Sequence, residues 1–285
     1  MPLLELDKYE GTANDFLVLD VGDASAIDAR LAARLCDRHR GVGADGVLFV
    51  CDGDPGADAR MVVINADGSR PEMCGNGLRC VALHVVERRA RASWSSSSSA
   101  APIDLVVDTD AGRKRCHVER VREGEAEVTV DMGRIVVGEA VDLRLGDRHV
   151  EARKVDAGNP HAVTFDALSD EELDALGARL QASEEFPRGV NLERVRAAGE
   201  GALRVDVFER GVGRTLACGT GACAVAAVAI ARGLAKIGAP LGITLGGGSL
   251  TITLDERGVA SMRGPARRVF HAVVPLELPS REVAR

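Results

Sequence analysis

No apolar run in this 285-residue chain approaches the roughly 18 uncharged residues of a membrane-spanning helix; the alanine-rich stretch at 222–231 is too short. No basic-then-apolar segment opens the chain, so a cytoplasmic location is the expectation. Positive charge is scarce as well. Lys and Arg number 36 against 43 Asp and Glu, for a net charge of −7. The basic residues are scattered rather than massed, which leaves nucleic-acid binding without its electrostatic footing. Cysteine occurs, but not as a disulfide scaffold. The seven (Cys36, Cys51, Cys74, Cys80, Cys116, Cys218 and Cys223) are an odd set spread thinly over a long chain, so free thiols are expected. No Cys-x-x-Cys of the zinc kind is present, no nucleotide fingerprint follows a first strand, and no lysine stands out for a Schiff base. The chemistry is expected to use neither metal nor cofactor, on a small polar substrate, with no nucleic acid and no membrane. Assembly is left open, a homodimer being one outcome.

Two stretches look like copies of each other. Cys74-Gly75-Asn76-Gly77 and Cys218-Gly219-Thr220-Gly221 each place a cysteine before a Gly-x-Gly turn that opens an apolar helical run. Leu78, Val81, Ala82, Val85 and Val86 recur at helical spacing after the first, and Ala222 to Ala231 is apolar all round after the second. The likeness extends to other polar landmarks. Asn14 and Asn159 are 145 residues apart, Asn65 and Arg210 also 145, and the two cysteines 144. A constant offset in a constant order points to an internal duplication, with the site expected in the cleft between two similar halves. Cys36, Cys51, Cys80 and Cys223 lie among apolar neighbours and read as packing residues.

The remaining pattern is α+β. Ser25 is expected to cap a helix carrying Ile27, Leu31, Ala32 and Leu35 that stops near Gly41, with Asn14 on a loop between two strands. Strands are expected at 16–19, 47–50, 61–64, 103–109, 115–121, 127–131, 149–155 and 203–209, and from Ser249 through Val274. A helix is expected over 170–180, with Leu173, Leu176 and Leu180 on one face. Ser93 to Ala101 reads as a surface loop without chemistry. The expected architecture is two similar, pseudo-symmetric domains, each a strand layer wrapped around a central helix. The first takes residues 1–123, with 264–285 returning to it, and the second 124–263.

A helix start offers unbonded N–H groups and the positive end of the macrodipole, so both thiols are expected to have lowered pKa values beside an anion-binding turn. Two thiols flanking one carbon can remove a proton from one face and deliver one to the other, inverting the centre. The backbone N–H groups of Gly75, Asn76, Gly219 and Thr220 would stabilise charge developing on an adjacent carboxylate.

The set Gly11-Thr-Ala-Asn-Asp-Phe, Arg40-Gly-Val-Gly-Ala-Asp-Gly, Asn65-Ala-Asp-Gly-Ser, Cys74-Gly-Asn-Gly-Leu-Arg-Cys, Gly158-Asn-Pro-His, Asn191-Leu-Glu, Glu209-Arg-Gly-Val-Gly, Cys218-Gly-Thr-Gly and Gly264-Pro-Ala closely resembles the diaminopimelate epimerase family, in order and over nearly the whole chain. The resemblance implies pyridoxal-independent interconversion of LL- and meso-diaminopimelate, in lysine and peptidoglycan precursor synthesis. It implies Cys74 and Cys218 as the acid/base thiols and Asn14, Asn65, Asn159, Asn191, Glu209 and Arg210 around the substrate's charged groups. His161 and Glu209 would tune the thiols. The chain departs from the family pattern at Glu10, Gly46, Arg214, Arg267 and Arg268. Two other readings stand beside this one. Proline racemases and hydroxyproline epimerases also use two thiols, although Asn65, Asn191 and Arg210 favour a substrate with a second charged end. A redox or metal protein using Cys74/Cys80 and Cys218/Cys223 as pairs has poor spacing for either role.

Overall fold

In the computed structural model, residues 3–22, 27–92, 101–197, 199 and 201–275 are described. The serine run and Ser25 lie outside them. The chain divides into two compact units, Met1–Val128 with Pro265–Arg285, and Thr129–Gly264.

The first unit begins with β1 (Leu3–Gly11) and β2 (Asn14–Asp20), an antiparallel hairpin. Helix α1 (Ala29–Cys36) follows, then β3 (Gly46–Cys51), β4 (Ala59–Asn65), α2 (Gly75–Ala92), β5 (Ile103–Thr109) and β6 (Gly112–Arg122). The cap of α1 is Asp28, whose carboxylate accepts from the Arg30 N–H. Instead of running toward Gly41, α1 stops at Cys36, because the Asp37 side chain accepts from the N–H groups of His39 and Arg40 and turns the chain. Pairing alternates, β2 with β3 parallel, β3 with β4 antiparallel, β4 with β5 parallel and β5 with β6 antiparallel. Helix α2 packs against all six of these strands. Its apolar positions are fully buried, as the periodicity requires, and so are Arg79, His84 and Glu87. Each buried polar group has a partner. Tyr9 donates to Glu87 at 3.0 Å, the Gly124 N–H donates to Glu87 at 2.8 Å, and His84 Nε2 lies 2.9 Å from Asp20.

Strand β7 (Glu125–Arg134) leads into the second unit. There follow β8 (Val136–Leu145), β9 (Arg148–Asp156), β10 (Pro160–Thr164), α3 (Asp170–Leu180), β11 (Asn191–Ala197), β12 (Ala202–Glu209), β13 (Gly213–Thr215), α4 (Gly219–Ala231), β14 (Leu241–Leu245), β15 (Gly248–Leu254) and β16 (Val259–Pro275). The C-terminal part of β16 pairs with β1 in the first unit. Ser169 and Glu172 close a capping box on α3, whose buried face carries Leu173, Leu176 and Leu180. Helix α4 is buried from Gly221 to Ala229 and packs against β8, β9, β10, β11, β14 and β15. A helix apolar all round has no face for water, and its small Gly, Ala and Cys side chains let the strands approach closely. Among the described residues no helix is long and apolar enough to cross a membrane.

The units share one internal register. In the first, Phe16 of β2 stands opposite Gly46 of β3 in a parallel pair; in the second, His161 of β10 stands opposite Asn191 of β11, also in a parallel pair.

Candidate active site

Each thiol is held by the same local construction. Cys74 precedes α2; its Sγ accepts from the Gly77 N–H at 3.4 Å and its carbonyl from the Leu78 N–H at 2.8 Å. Cys218 is the N-cap of α4; its Sγ accepts from the Gly221 N–H at 3.4 Å and its carbonyl from the Ala222 N–H at 3.0 Å. The sulfur therefore does what a serine or aspartate cap does, satisfying a helix N–H. All seven cysteines are free; Cys74 is half-buried and Cys218 buried.

In the first unit, Asn76 does more than offer a backbone N–H. Its Oδ1 accepts from Arg79 Nη1 at 3.1 Å, while its Nδ2 donates to Asn14 Oδ1 at 3.3 Å. Asn14 Nδ2 donates on to Asp45 at 2.8 Å, and Arg38 bridges Asp45 and Asp15. Fully buried Arg79 also donates to Thr12 Oγ1 and the Pro265 carbonyl, both at 3.1 Å. Asn14 is not on a loop: it is the first residue of β2, facing Gly11 across the hairpin. The two-residue turn is Thr12-Ala13, with φ of 55° and 59°. Such turns favour Asn-Gly, so this pair holds strained backbone directly beside the site. Asn65 ends β4 and donates to Ser69 Oγ at 3.0 Å. Glu10 and Arg267, two of the departures from the family pattern, are register partners on β1 and β16, with their charged groups 3.5 Å apart. Arg268 lies 3.3 Å from buried Glu87.

In the second unit His161 is completely buried. Its Nδ1 lies 2.6 Å from Glu193 Oε1 and its Nε2 2.9 Å from Asn159 Oδ1. Asn191 approaches Nε2 at 3.5 Å through Nδ2 and accepts from the Arg210 N–H at 2.8 Å through Oδ1. Glu209 accepts from Thr215 Oγ1 at 2.5 Å. The Arg210 guanidinium is exposed, donating to the Arg188 carbonyl at 3.3 Å. Thr220 Oγ1 sits 3.4 Å from Cys218 Sγ.

The expected lowering of the thiol pKa does not hold at Cys218. Burial first, then the charges of Glu209 and Glu193, push this thiol well above its ordinary value, outweighing the Thr220 and Gly221 hydrogen bonds. Burial likewise raises Glu209, with Glu193 adding to the rise and Thr215 opposing it. Glu193 stood in the Asn191-Leu-Glu motif without a role; only the tertiary structure shows its carboxylate against His161. Among the described residues no group of three or more His, Cys, Asp or Glu side chains is placed to hold a metal ion.

Solved structures with this fold include a hydroxyproline epimerase from Agrobacterium vitis, with a TM-score of 0.72 at 17% identity, covering 95% of this chain and 92% of that one. A probable proline racemase from Agrobacterium radiobacter gives 0.71 at 18% identity, covering 98% and 94%. The fold is thus that of the epimerases and racemases built from two related halves. A profile described as diaminopimelate epimerase matches residues 7–137 and 153–269. The diaminopimelate epimerases of Teredinibacter turnerae and Desulforudis audaxviator are each 39% identical, covering 96% and 94% of this chain and 99% and 98% of their own. The chain belongs to the diaminopimelate epimerase family.

Proposed function

We propose that the chain interconverts LL- and meso-diaminopimelate by moving one proton at the α-carbon, with Cys74 and Cys218 as the two acid/base groups and no cofactor. Family membership supports the substrate. The observation that carries the two-thiol assignment is the shared construction: each sulfur accepts from the N–H three residues on at 3.4 Å, 144 positions apart in the chain. A helix start holds the sulfur at a fixed point and offers neighbouring N–H groups, at Gly75 and Asn76 or at Gly219 and Thr220, to a carboxylate whose charge grows as the carbanion forms.

Cys218, kept protonated by burial and two carboxylates, is the proton donor of the resting enzyme in the direction that begins with abstraction by Cys74. The reverse direction exchanges the roles, and the two titrations are coupled through the substrate. Asn14, Asn65, Asn159 and Asn191 supply amide donors and acceptors for the substrate's ammonium and carboxylate groups. Glu209 accepts from an ammonium, and the exposed Arg210 guanidinium forks a carboxylate. A cytoplasmic setting, where thiols stay reduced, suits this chemistry.

The test is incubation of reduced protein with LL-diaminopimelate in heavy water. Formation of the meso isomer with deuterium at the inverted carbon, without added cofactor, is the expected result. Absence of both exchange and inversion would refute the reading.

A further inference from the structure

The internal duplication supplies its own control for the second half-site. An offset of 145 carries Asn14 to Asn159, Phe16 to His161, Gly46 to Asn191 and Leu48 to Glu193. The strands keep the same parallel register in both units, Leu17 with Val47 and Leu48 with Val18 in one, Ala162 with Leu192 and Glu193 with Val163 in the other. Phe16 and Leu48 are buried apolar residues at 2% and 0% exposure; His161 and Glu193, at the equivalent positions, are both at 0%. This layer therefore packs well with two apolar side chains. A buried ion-pairing carboxylate in its place is expensive to desolvate and is not required by the scaffold.

The glycines of the two cysteine turns report the same exchange. A Cβ at Gly77 would fall 2.9 Å from Leu48 Cδ2, and a Cβ at Gly221 would fall 2.7 Å from Glu193 Oε1. Leucine in one half and glutamate in the other thus press on the same point of the helix start, one residue turn from the thiol. Among the described residues Glu193 Oε2 is buried and accepts no hydrogen bond, so the carboxylate is held through Oε1 by His161.

The partners of the ring complete the geometry. Among the described residues Nδ1 meets a carboxylate, whereas Nε2 meets an amide oxygen from Asn159 at 2.9 Å and an amide nitrogen from Asn191 at 3.5 Å. We propose that Glu193 is a positioning residue of the reaction: it holds a proton of His161 on Nδ1, fixes the plane of the ring, and so presents Nε2 to the side-chain amides of Asn159 and Asn191. The inference rests on the reading of Cys218 as an acid/base thiol. It also makes the two units unequal: the pair His161 and Glu193 lies in the second unit, and its counterpart in the first is the apolar pair Phe16 and Leu48. The titratable groups facing this pair are Glu209 from β12 and Cys218 from the start of α4. Removal of the Glu193 charge also lets the Cys218 thiol ionise at lower pH, since that charge contributes to holding the proton.

The experiment combines ring-nitrogen NMR of ¹⁵N-histidine-labelled protein with steady-state epimerisation. In the wild type the His161 signals show Nδ1 protonated. In Glu193→Gln that signature is lost, kcat falls by at least about tenfold with KM little changed, and alkylation of the Cys218 peptide sets in at lower pH. Glu193→Asp restores part of kcat. The double variant His161→Phe/Glu193→Leu copies the first unit, so it folds and remains inactive, which separates loss of the His161–Glu193 pair from loss of the fold. An unchanged Nδ1–H signature in Glu193→Gln overturns the assignment of the tautomer, and turnover within twofold of wild type overturns the catalytic role. If the wild type leaves diaminopimelate untouched, the functional reading falls while the ring-nitrogen shifts still decide the claim about Glu193.

Discussion

Replacing Gly221 with alanine adds one methyl group at the most crowded point of the Cys218 turn. The backbone accepts it, because Gly221 lies in the first turn of an ordinary α-helix, where alanine gains about 1 kcal/mol over glycine. The space does not. The new Cβ falls 2.7 Å from Glu193 Oε1 and 3.3 Å from Cys218 Sγ, and a contact under 3.0 Å must be relieved by movement. Overpacking of this kind costs about 1–3 kcal/mol, so the net loss is at most about 2 kcal/mol and Tm falls by a few degrees. What moves decides the effect on turnover. At Gly77 the equivalent methyl meets the tip of Leu48 at 2.9 Å, a flexible apolar group with no partner to lose. At Gly221 it meets the carboxylate that holds His161 at 2.6 Å, and its relief lengthens that bond or shifts the thiol. Gly221→Ala is therefore expected to lose at least about tenfold in kcat, and Gly77→Ala much less, at similar stability. Thermal denaturation and steady-state epimerisation of LL-diaminopimelate on both variants are the assays. Equal turnover by the two at matched stability refutes the reasoning.

Cys74→Ala and Cys218→Ala are each expected to abolish epimerisation while the protein stays folded, checked by activity and circular dichroism; substantial turnover by either sinks the two-base assignment. Three buried thiols keep their protons in the fold, Cys36 pushed up to about 12 and Cys80 and Cys218 raised in the same direction, all chiefly by burial. Their stabilisation is complete below the unfolded thiol pKa of about 8.5 and is lost as pH rises toward the folded values, at about 1.4 kcal/mol per pH unit for each thiol. Urea midpoints should therefore fall steeply above about pH 9, and Cys36→Ala should flatten that fall; a flat wild-type profile up to about pH 10 would contradict it. Ala13→Gly relieves a left-handed residue at φ 59° and is expected to stabilise by about 1 kcal/mol, read as a raised denaturation midpoint. Arg79→Met removes the hydrogen bonds of a fully buried guanidinium to Asn76, Thr12 and the Pro265 carbonyl and is expected to destabilise by about 3 kcal/mol in the same measurement.

Helices α2, α3 and α4 were legible because their signals are local, whereas α1 is bounded by Asp28 and Asp37 rather than by Ser25 and Gly41. The Gly-x-Gly starts of α2 and α4 and the leucine spacing of α3 lie within or next to the helices they mark. Strand β8 carries little sequence signal for a physical reason: most of Val136–Leu145 is exposed or half-exposed, with Leu143 its one buried residue, so no alternating apolar face is written into it. The placement of Asn14 in β2 was hidden in a turn whose residues, Thr12 and Ala13, do not advertise positive φ. Glu193 was out of reach altogether. A glutamate two residues into a strand gives no hint of complete burial, and its partner His161 lies 32 residues earlier in the chain.

The thiols mark the boundary between what a local rule can and cannot decide. A helix start fixes geometry, and on that count Cys74 and Cys218 are alike to within the length of a hydrogen bond. Charge comes from whatever the rest of its unit places nearby. In the unit of Cys74 a buried cation, the Arg79 guanidinium, lies near the thiol. Around Cys218 lie the carboxylates of Glu209 and Glu193, brought in by β12 and β11. The macrodipole contributes about half an elementary charge at a helix start, spread over several N–H groups, whereas each carboxylate can carry a full charge into a buried site. Two similar turns therefore arrive at unequal electrostatics, because the strands beside them share one register but carry Phe16 and Leu48 in the first unit and His161 and Glu193 in the second.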